Sequence, residues 1–182
     1  MIIIFLGPPY CGKGTQSEIL AKQFNIPVFS MGALIREGYE NKDPKAIEGF
    51  ENYSMKGLHL PNSLKFHLLK NKMEQNPDGF ILDNYPATQE DLQTIYKYLD
   101  EKSFKIDKVI YLPISVEEMK KRLSERGRRD DDLDILLKRR EQQDKDRNPV
   151  LNFFSSKGLL VEISGEGSVD EIHNKIMEAL KW

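Results

Sequence analysis

The sequence predicts an α/β fold of three layers: a five-stranded parallel sheet with helices on both faces. Three observations carry that expectation. Short apolar runs alternate with longer stretches of helical period. The first run, Ile2-Ile3-Ile4-Phe5-Leu6, is apolar at every position, as a strand covered on both faces must be. It leads directly into a glycine loop and then an amphipathic stretch, the order in which strand–helix units are built.

The elements follow in chain order. Ile2–Leu6 is too short to span a membrane and reads as a buried strand. Gly7-Pro8-Pro9-Tyr10-Cys11-Gly12-Lys13 fits G-x-x-x-x-G-K. From Gly14 to Phe24 the pattern is helical, with Ile19, Leu20 and Phe24 on one face. Ile26–Phe29 reads as the second strand, ended by Ser30-Met31-Gly32, and Ala33–Tyr39 as a helix. Pro44 suits the first turn of a helix over Lys45–Met55, which Gly57 stops. Pro61-Asn62-Ser63 starts another, through about Glu74, with Leu64, Leu68 and Leu69 inward. After the turn Asn76-Pro77-Asp78-Gly79 comes a third strand, Phe80-Ile81-Leu82, ending on Asp83. Thr88–Leu99 is helical, Lys108–Leu112 is the fourth strand, and Ser115 with Glu118 suggests a capping box for a helix to about Glu125. Asp132–Phe154 reads as one long polar helix or a helix pair, Leu159–Ile163 as the fifth strand, and Val169–Leu180 as the closing helix.

The 182 residues suit one ordinary domain, and the composition, 39% hydrophobic and 31% charged, is globular. We expect a core of 1–29, 77–125 and 132–182, a helical excursion of 30–76, and a short lid at about 126–131. A formal net charge of −2 argues against a dedicated nucleic-acid binder. The single cysteine, Cys11, precludes an intrachain disulfide and suggests a reducing, cytoplasmic setting; within the loop it reads as space-filling. No signal peptide or membrane partner is expected, and a monomer is.

Strand, glycine loop and helix together make a phosphate cradle, the mark of a P-loop NTPase-type fold. Loop N–H groups point inward, the helix N-terminus adds positive potential, and Lys13 supplies a full charge. Gly14 occupies the place where Ser or Thr commonly meets Mg²⁺, so a metal would be held mainly by phosphate oxygens and water, leaving Thr15 for a phosphate. In parallel sheets ligands bind at the carboxyl ends of strands, which is where Gly7, Ser30 and Asp83 fall. His59, His67 and His173 have no ligand spacing, and Met31, Met55 and Met73 read as core filler.

Several ordered segments resemble the adenylate kinase family of nucleoside monophosphate kinases, almost end to end. GPPYCGKGTQ resembles its loop G-x-P-G-x-G-K-G-T-Q, and Gly32 with Arg36 resembles S-x-G-x-x-x-R. Gly57-Leu58-His59-Leu60-Pro61-Asn62 is similar to G-x-L-V-P-D, and Gly79–Pro86 to G-F-I-L-D-G-F-P-R. Arg126-Gly127-Arg128-Arg129-Asp130-Asp131 with Arg139 resembles the closing lid, and Gly165–Asp170 the last loop, which lies along the ATP adenine.

The resemblance implies transfer of the γ-phosphoryl of Mg-ATP to a monophosphate, AMP being the first expectation. It implies that Lys13 bridges the β- and γ-phosphates while Arg126, Arg128 and Arg139 surround the transferring group. Pro9, Tyr10, Cys11, Gly12, Gly14, Thr15, Arg122 and Gly167 would complete the ATP site, with Arg122 stacked on the base. The monophosphate site would use Met31, Gly32, Arg36, Leu58, His59, Leu60, Asn84, Tyr85, Pro86, Ala87 and Asp91, with Arg128 and Arg139. Asp83 would orient water on Mg²⁺. Arginine suits this work because its planar fork grips phosphate through paired hydrogen bonds. Only Gly127 separates Arg126 from Arg128, which leaves no room for the zinc insert of some relatives, so no zinc is expected.

Departures from the pattern cluster on the acceptor side. Met31, Ala33, Asn84, Ala87 and Asp91 replace a threonine, an aspartate, a glycine, a phosphate-gripping arginine and an adenine-reading glutamine. Tyr10 replaces a glycine and is strained if that position needs φ > 0. Weak or altered AMP use is therefore expected, with UMP, CMP or another phosphorylated acceptor open. A nucleotide-binding module that has lost transfer is the alternative. The plainer readings are a solvated arginine face at KKRLSERGRR and a turn-capping Asp83.

Overall fold

The computed structural model describes residues 1–56, 58, 60–126 and 133–181, with the backbone alone at Arg126, Ile135 and Arg139. The elements are β1 (Ile2–Leu6), α1 (Lys13–Phe24), β2 (Val28–Ser30), α2 (Met31–Glu40), α3 (Pro44–Asn52), α4 (Asn62–Glu74) and β3 (Phe80–Asp83). There follow α5 (Gln89–Glu101), β4 (Lys108–Tyr111), α6 (Val116–Arg126), α7 (Leu133–Ser156), β5 (Leu160–Glu162) and α8 (Val169–Ala179). The sheet runs β2-β3-β1-β4-β5, and every pairing is parallel.

β1 is the central strand, and its alternation divides the core. Ile2, Ile4 and Leu6 pack with Leu69, Met73, Ile95, Leu99 and Phe154 from α4, α5 and α7. Ile3 and Phe5 face the other way, onto Leu20, Met119, Ile172 and Ile176 from α1, α6 and α8. A third, smaller cluster, Ile35, Ala46 and Leu64, lies among α2, α3 and α4. Parallel strands joined by helices bring all the strand-to-helix loops to one edge, so the loop after the central strand is flanked by those after β3 and β4.

Several boundaries depart from the expected ones. β2 starts at Val28, although the carbonyl of Pro27 already accepts from Ile81 N at 2.8 Å. α2 begins at Met31, because extended Ser30 (φ −94°, ψ 125°) passes directly into helix and Gly32 does not interrupt it. α3 ends at Asn52, and Met55, in a 3-10 turn over Ser54–Lys56, is 67% exposed rather than core filler. The stretch expected as one helix or two is one, α7, with Pro149 inside it. The capping box at Ser115 is half made: Ser115 Oγ accepts from Glu118 N at 3.1 Å, but Glu118 turns its carboxylate to Arg122. Ser115 N donates instead to Glu166 Oε1, at 2.8 Å.

Candidate functional site

The loop after β1 leaves no room for side chains at its entry. A Cβ on Gly7 would lie 2.6 Å from Cys11 Sγ and 2.7 Å from the carbonyl oxygen of Leu112. Tyr10 (φ 64°) and Gly12 (φ 92°) take left-handed backbone, and Gly12 is the N-cap of α1. For tyrosine that conformation costs on the order of 1 kcal/mol, which its partly buried ring helps offset by packing on the Phe5 side of the sheet. Cys11 is fully buried and fills the loop from within. Lys13 Nζ donates to the carbonyls of Gly7 and Pro8, at 2.9 Å each, with Cys11 Sγ at 3.6 Å.

The next wall comes from the ends of β2 and β3, where Ser30 and Asp83 are register partners. Burial pushes the Asp83 carboxyl up, against the pull of the Lys13 ammonium and a hydrogen bond to Ser30. Among the described residues, the buried Oδ1 of Asp83 has no hydrogen-bond partner. A cation with its water shell is one group that suits such an oxygen. Opposite, Arg122 on α6 donates from Nη1 to the carbonyl of Tyr10 (3.1 Å) and from Nη2 to that of Gly165 (2.8 Å), while Glu118 fixes its Nε (2.7 Å). Gly167 (φ 125°) leads into the Ser168–Glu171 capping box of α8.

These groups line one cleft of ≈ 990 Å³, which takes in Tyr10, Cys11, Gly12, Lys13, Gly14 and Thr15. Ser30, Ala33, Arg36, Asp83, Arg122 and Gly167 line it too. A cleft of this size can hold a nucleotide. Gly32 makes room for Arg36: a Cβ there would stand 3.3 Å from Nη1 of Arg36.

The expected acceptor residues are placed differently. Asn84 has φ 61° and donates its N–H to Phe5 O at 2.9 Å; Tyr85-Pro86 is a cis peptide. Tyr85 is fully buried, which raises its phenol, and its hydroxyl donates to Asn62 Oδ1 at 3.3 Å. Asp91 is also fully buried and makes the N3 half of the α5 capping box with Thr88. Its Oδ2 accepts from Ala87 N (3.0 Å), Thr88 N (3.2 Å) and Lys65 Nζ (2.5 Å), while Oδ1 has no partner among the described residues. Met31 and Ala87 are buried, Leu60 packs against the Ile35 cluster, and Leu58 is 55% exposed. Pro9 is half-buried. His59 and Arg128, with the rest of the expected lid at 127–131, lie outside the described residues. Arg126 ends α6 and Arg139 lies within α7; their side chains also lie outside the description.

Sequence reasoning missed Lys65 and Arg147. Lys65 falls in a leucine-rich helix, and nothing in its spacing marks it as the partner of a residue on the next helix. Arg147 on α7 is 3% exposed and donates from Nη2 to the carbonyl of Gly7 at 3.2 Å. Its signal would have been an arginine flanked by the apolar positions Val150 and Phe154 one and two turns on.

Among the described residues no helix is long and apolar enough to cross a membrane. No group of three or more His, Cys, Asp or Glu among them is arranged to hold a metal directly. The family model described as Adenylate kinase matches residues 5–159. The adenylate kinase of Bifidobacterium longum is 35% identical over 187 residues, covering 100% of both chains. That of Leptospira biflexa is 32% identical over 98% of both, and that of Mycobacterium marinum 33% identical over 99% of both.

Proposed function

This chain belongs to the adenylate kinase family, and from that premise we propose that it moves the γ-phosphoryl of Mg-ATP to a nucleoside monophosphate other than, or in weak preference to, AMP. As a member it is a phosphotransferase of the nucleoside monophosphate kinase class. The observation that carries the donor half is the convergence of Lys13, Asp83 and Arg122 on one cleft at the carboxyl edge of the sheet, which Arg36 lines as well. Phosphoryl transfer needs positioning and neutralised oxygens more than covalent help, and that set provides fixed charge.

In this reading Lys13 serves the β- and γ-phosphates, Arg122 the donor base and Arg36 the acceptor's phosphate. Arg126 and Arg128, from a short lid at about 126–131, and Arg139, from α7, close around the transferring group. The excursion 30–76 closes on the acceptor while the core holds still. Mg²⁺ would neutralise phosphate oxygens when bound, with Asp83 accepting from its water shell through the oxygen that has no partner among the described residues. A reducing, cytoplasmic setting fits the single buried cysteine.

The acceptor half rests on Asp91. Where a glutamine would read adenine, this carboxylate is already committed on Oδ2 to Lys65 and to the N–H groups of Ala87 and Thr88. Ala87 brings no guanidinium. Loss of one buried phosphate-gripping arginine costs a few kcal/mol, about 2–5 by comparison with other charged pairs.

The test is a panel of monophosphates with Mg-ATP, read as ADP formed. The reading expects at least one acceptor to exceed AMP, and Lys13→Ala to abolish transfer. AMP turnover above that of every other acceptor would refute the acceptor half. ADP release at background with all acceptors, alongside ATP binding, would favour a binding module, which the loss of the arginine at Ala87 already makes the second reading.

A further inference from the structure

Arg147 is a buried cation directly behind the phosphate loop, and none of the roles above uses it. Arginine stays protonated in proteins, so burial at 3% exposure demands compensation on every side. Asp144, one turn back on α7, accepts from Nη1, and is itself 42% exposed and shared with Arg140. The ring of Tyr111 lies beneath, its centroid 6.0 Å from Cζ. Nη2 reaches the carbonyl of Gly7 across 140 positions of sequence.

That carbonyl has a second donor: Lys13 Nζ at 2.9 Å. A carbonyl oxygen has two lone pairs, and here a lysine and an arginine take one each. To reach a phosphate, Lys13 must give up Gly7 and Pro8. Releasing a buried carbonyl unpaired is costly, but Gly7 keeps the bond from Arg147. Two like charges on one oxygen also repel, which disfavours the state in which Lys13 stays there.

We propose that Arg147 is a positioning residue for Lys13. It holds the strand-to-loop carbonyl from behind, keeps it satisfied when the lysine leaves, and tips the ammonium toward the triphosphate. α7 also delivers Arg140 to the carbonyls of Ile114 (2.6 Å) and Ser115 (3.0 Å). One helix thereby pins both the carboxyl end of β1 and the loop that follows β4.

The inference rests on the loop's binding ATP, and the experiment separates the two. The full chain and its Arg147→Met, Arg147→Gln and Arg147→Lys variants are titrated calorimetrically with Mg-ATP, assayed for KM and kcat with the best acceptor, and melted. Methionine removes charge and donors at similar length, glutamine keeps a donor without charge, and lysine keeps charge with a donor. We expect Arg147→Met to weaken ATP binding and raise its KM about tenfold, with kcat changed far less. Arg147→Gln should fall between, and Arg147→Lys should recover most of the loss. A residue that only props the fold would lower the melting temperature of Met and Gln variants while ATP affinity below the transition stayed at the wild-type value, and that result overturns the proposal. Should the Met variant not fold, the Gln and Lys variants decide by the same comparison. A wild-type chain that binds no ATP overturns the loop reading, and this inference with it.

Discussion

Lys65 and Asp91 form an ion pair 2.5 Å long, with side chains 5% and 0% exposed, that ties α4 to the start of α5. Two charges sealed this well are held more by each other than by the fold, and removing one strands the other. Lys65→Met or Asp91→Asn alone should lower unfolding free energy by about 3–5 kcal/mol in urea titration. The Lys65→Met/Asp91→Asn double variant should return to within about 1 kcal/mol of wild type, because asparagine still accepts from Ala87 and Thr88. Additive losses would mean that the pair does not act as a unit.

Asp83 should trade stability against chemistry. Burial raises its carboxyl above the ordinary value of 3.8, so between that value and the folded one the folded chain holds a proton that the unfolded chain has released. The contribution of this group to stability is therefore greatest at low pH and is lost as pH rises through its folded pKa. Asp83→Asn removes the buried charge. It should raise the melting temperature at neutral pH, remove that pH dependence, and lower phosphoryl transfer about 10–100-fold through the lost contact to the metal's water shell. Unchanged transfer would return Asp83 to a turn-capping role.

The loop side of this cleft was legible in the sequence because its parts are local. Gly7, Gly12 and Lys13 act through a loop whose spacing is its geometry, and Tyr10 at φ 64° bears out the strain that its replacement of glycine suggested. The strands were legible for a similar reason: Ile2–Leu6 has to be apolar throughout, since its alternate residues serve two cores. What failed was non-local or marginal. Gly32 looks like a stop but lies inside α2, since a glycine two residues past a strand can equally make room for Arg36. Met55 has a core residue's chemistry and an exposed turn's position. Lys65 and Arg147 are polar residues whose partners lie 26 and 140 positions away, and periodicity holds no record of such pairings.

Arg122 clamps the two loops that bound the cleft. Its fork reaches the carbonyls of Tyr10 and Gly165 while Glu118 fixes its third nitrogen. A lysine has the charge but cannot make these three contacts in one plane. Arg122→Lys and Arg122→Ala should therefore both raise the KM for ATP, by about fivefold and tenfold, with unfolding free energy down by about 1–2 kcal/mol. Gly165 meets the same junction from the other side: a Cβ there would lie 2.9 Å from the Cys11 carbonyl oxygen and 2.8 Å from Ile114. Gly165→Ala should push the loops apart and loosen the clamp by itself. In the double variant the Arg122→Ala loss should then shrink, since the contact it removes is already displaced. Full additivity of the two KM effects would show that Arg122 acts on ATP without going through the Gly165 loop.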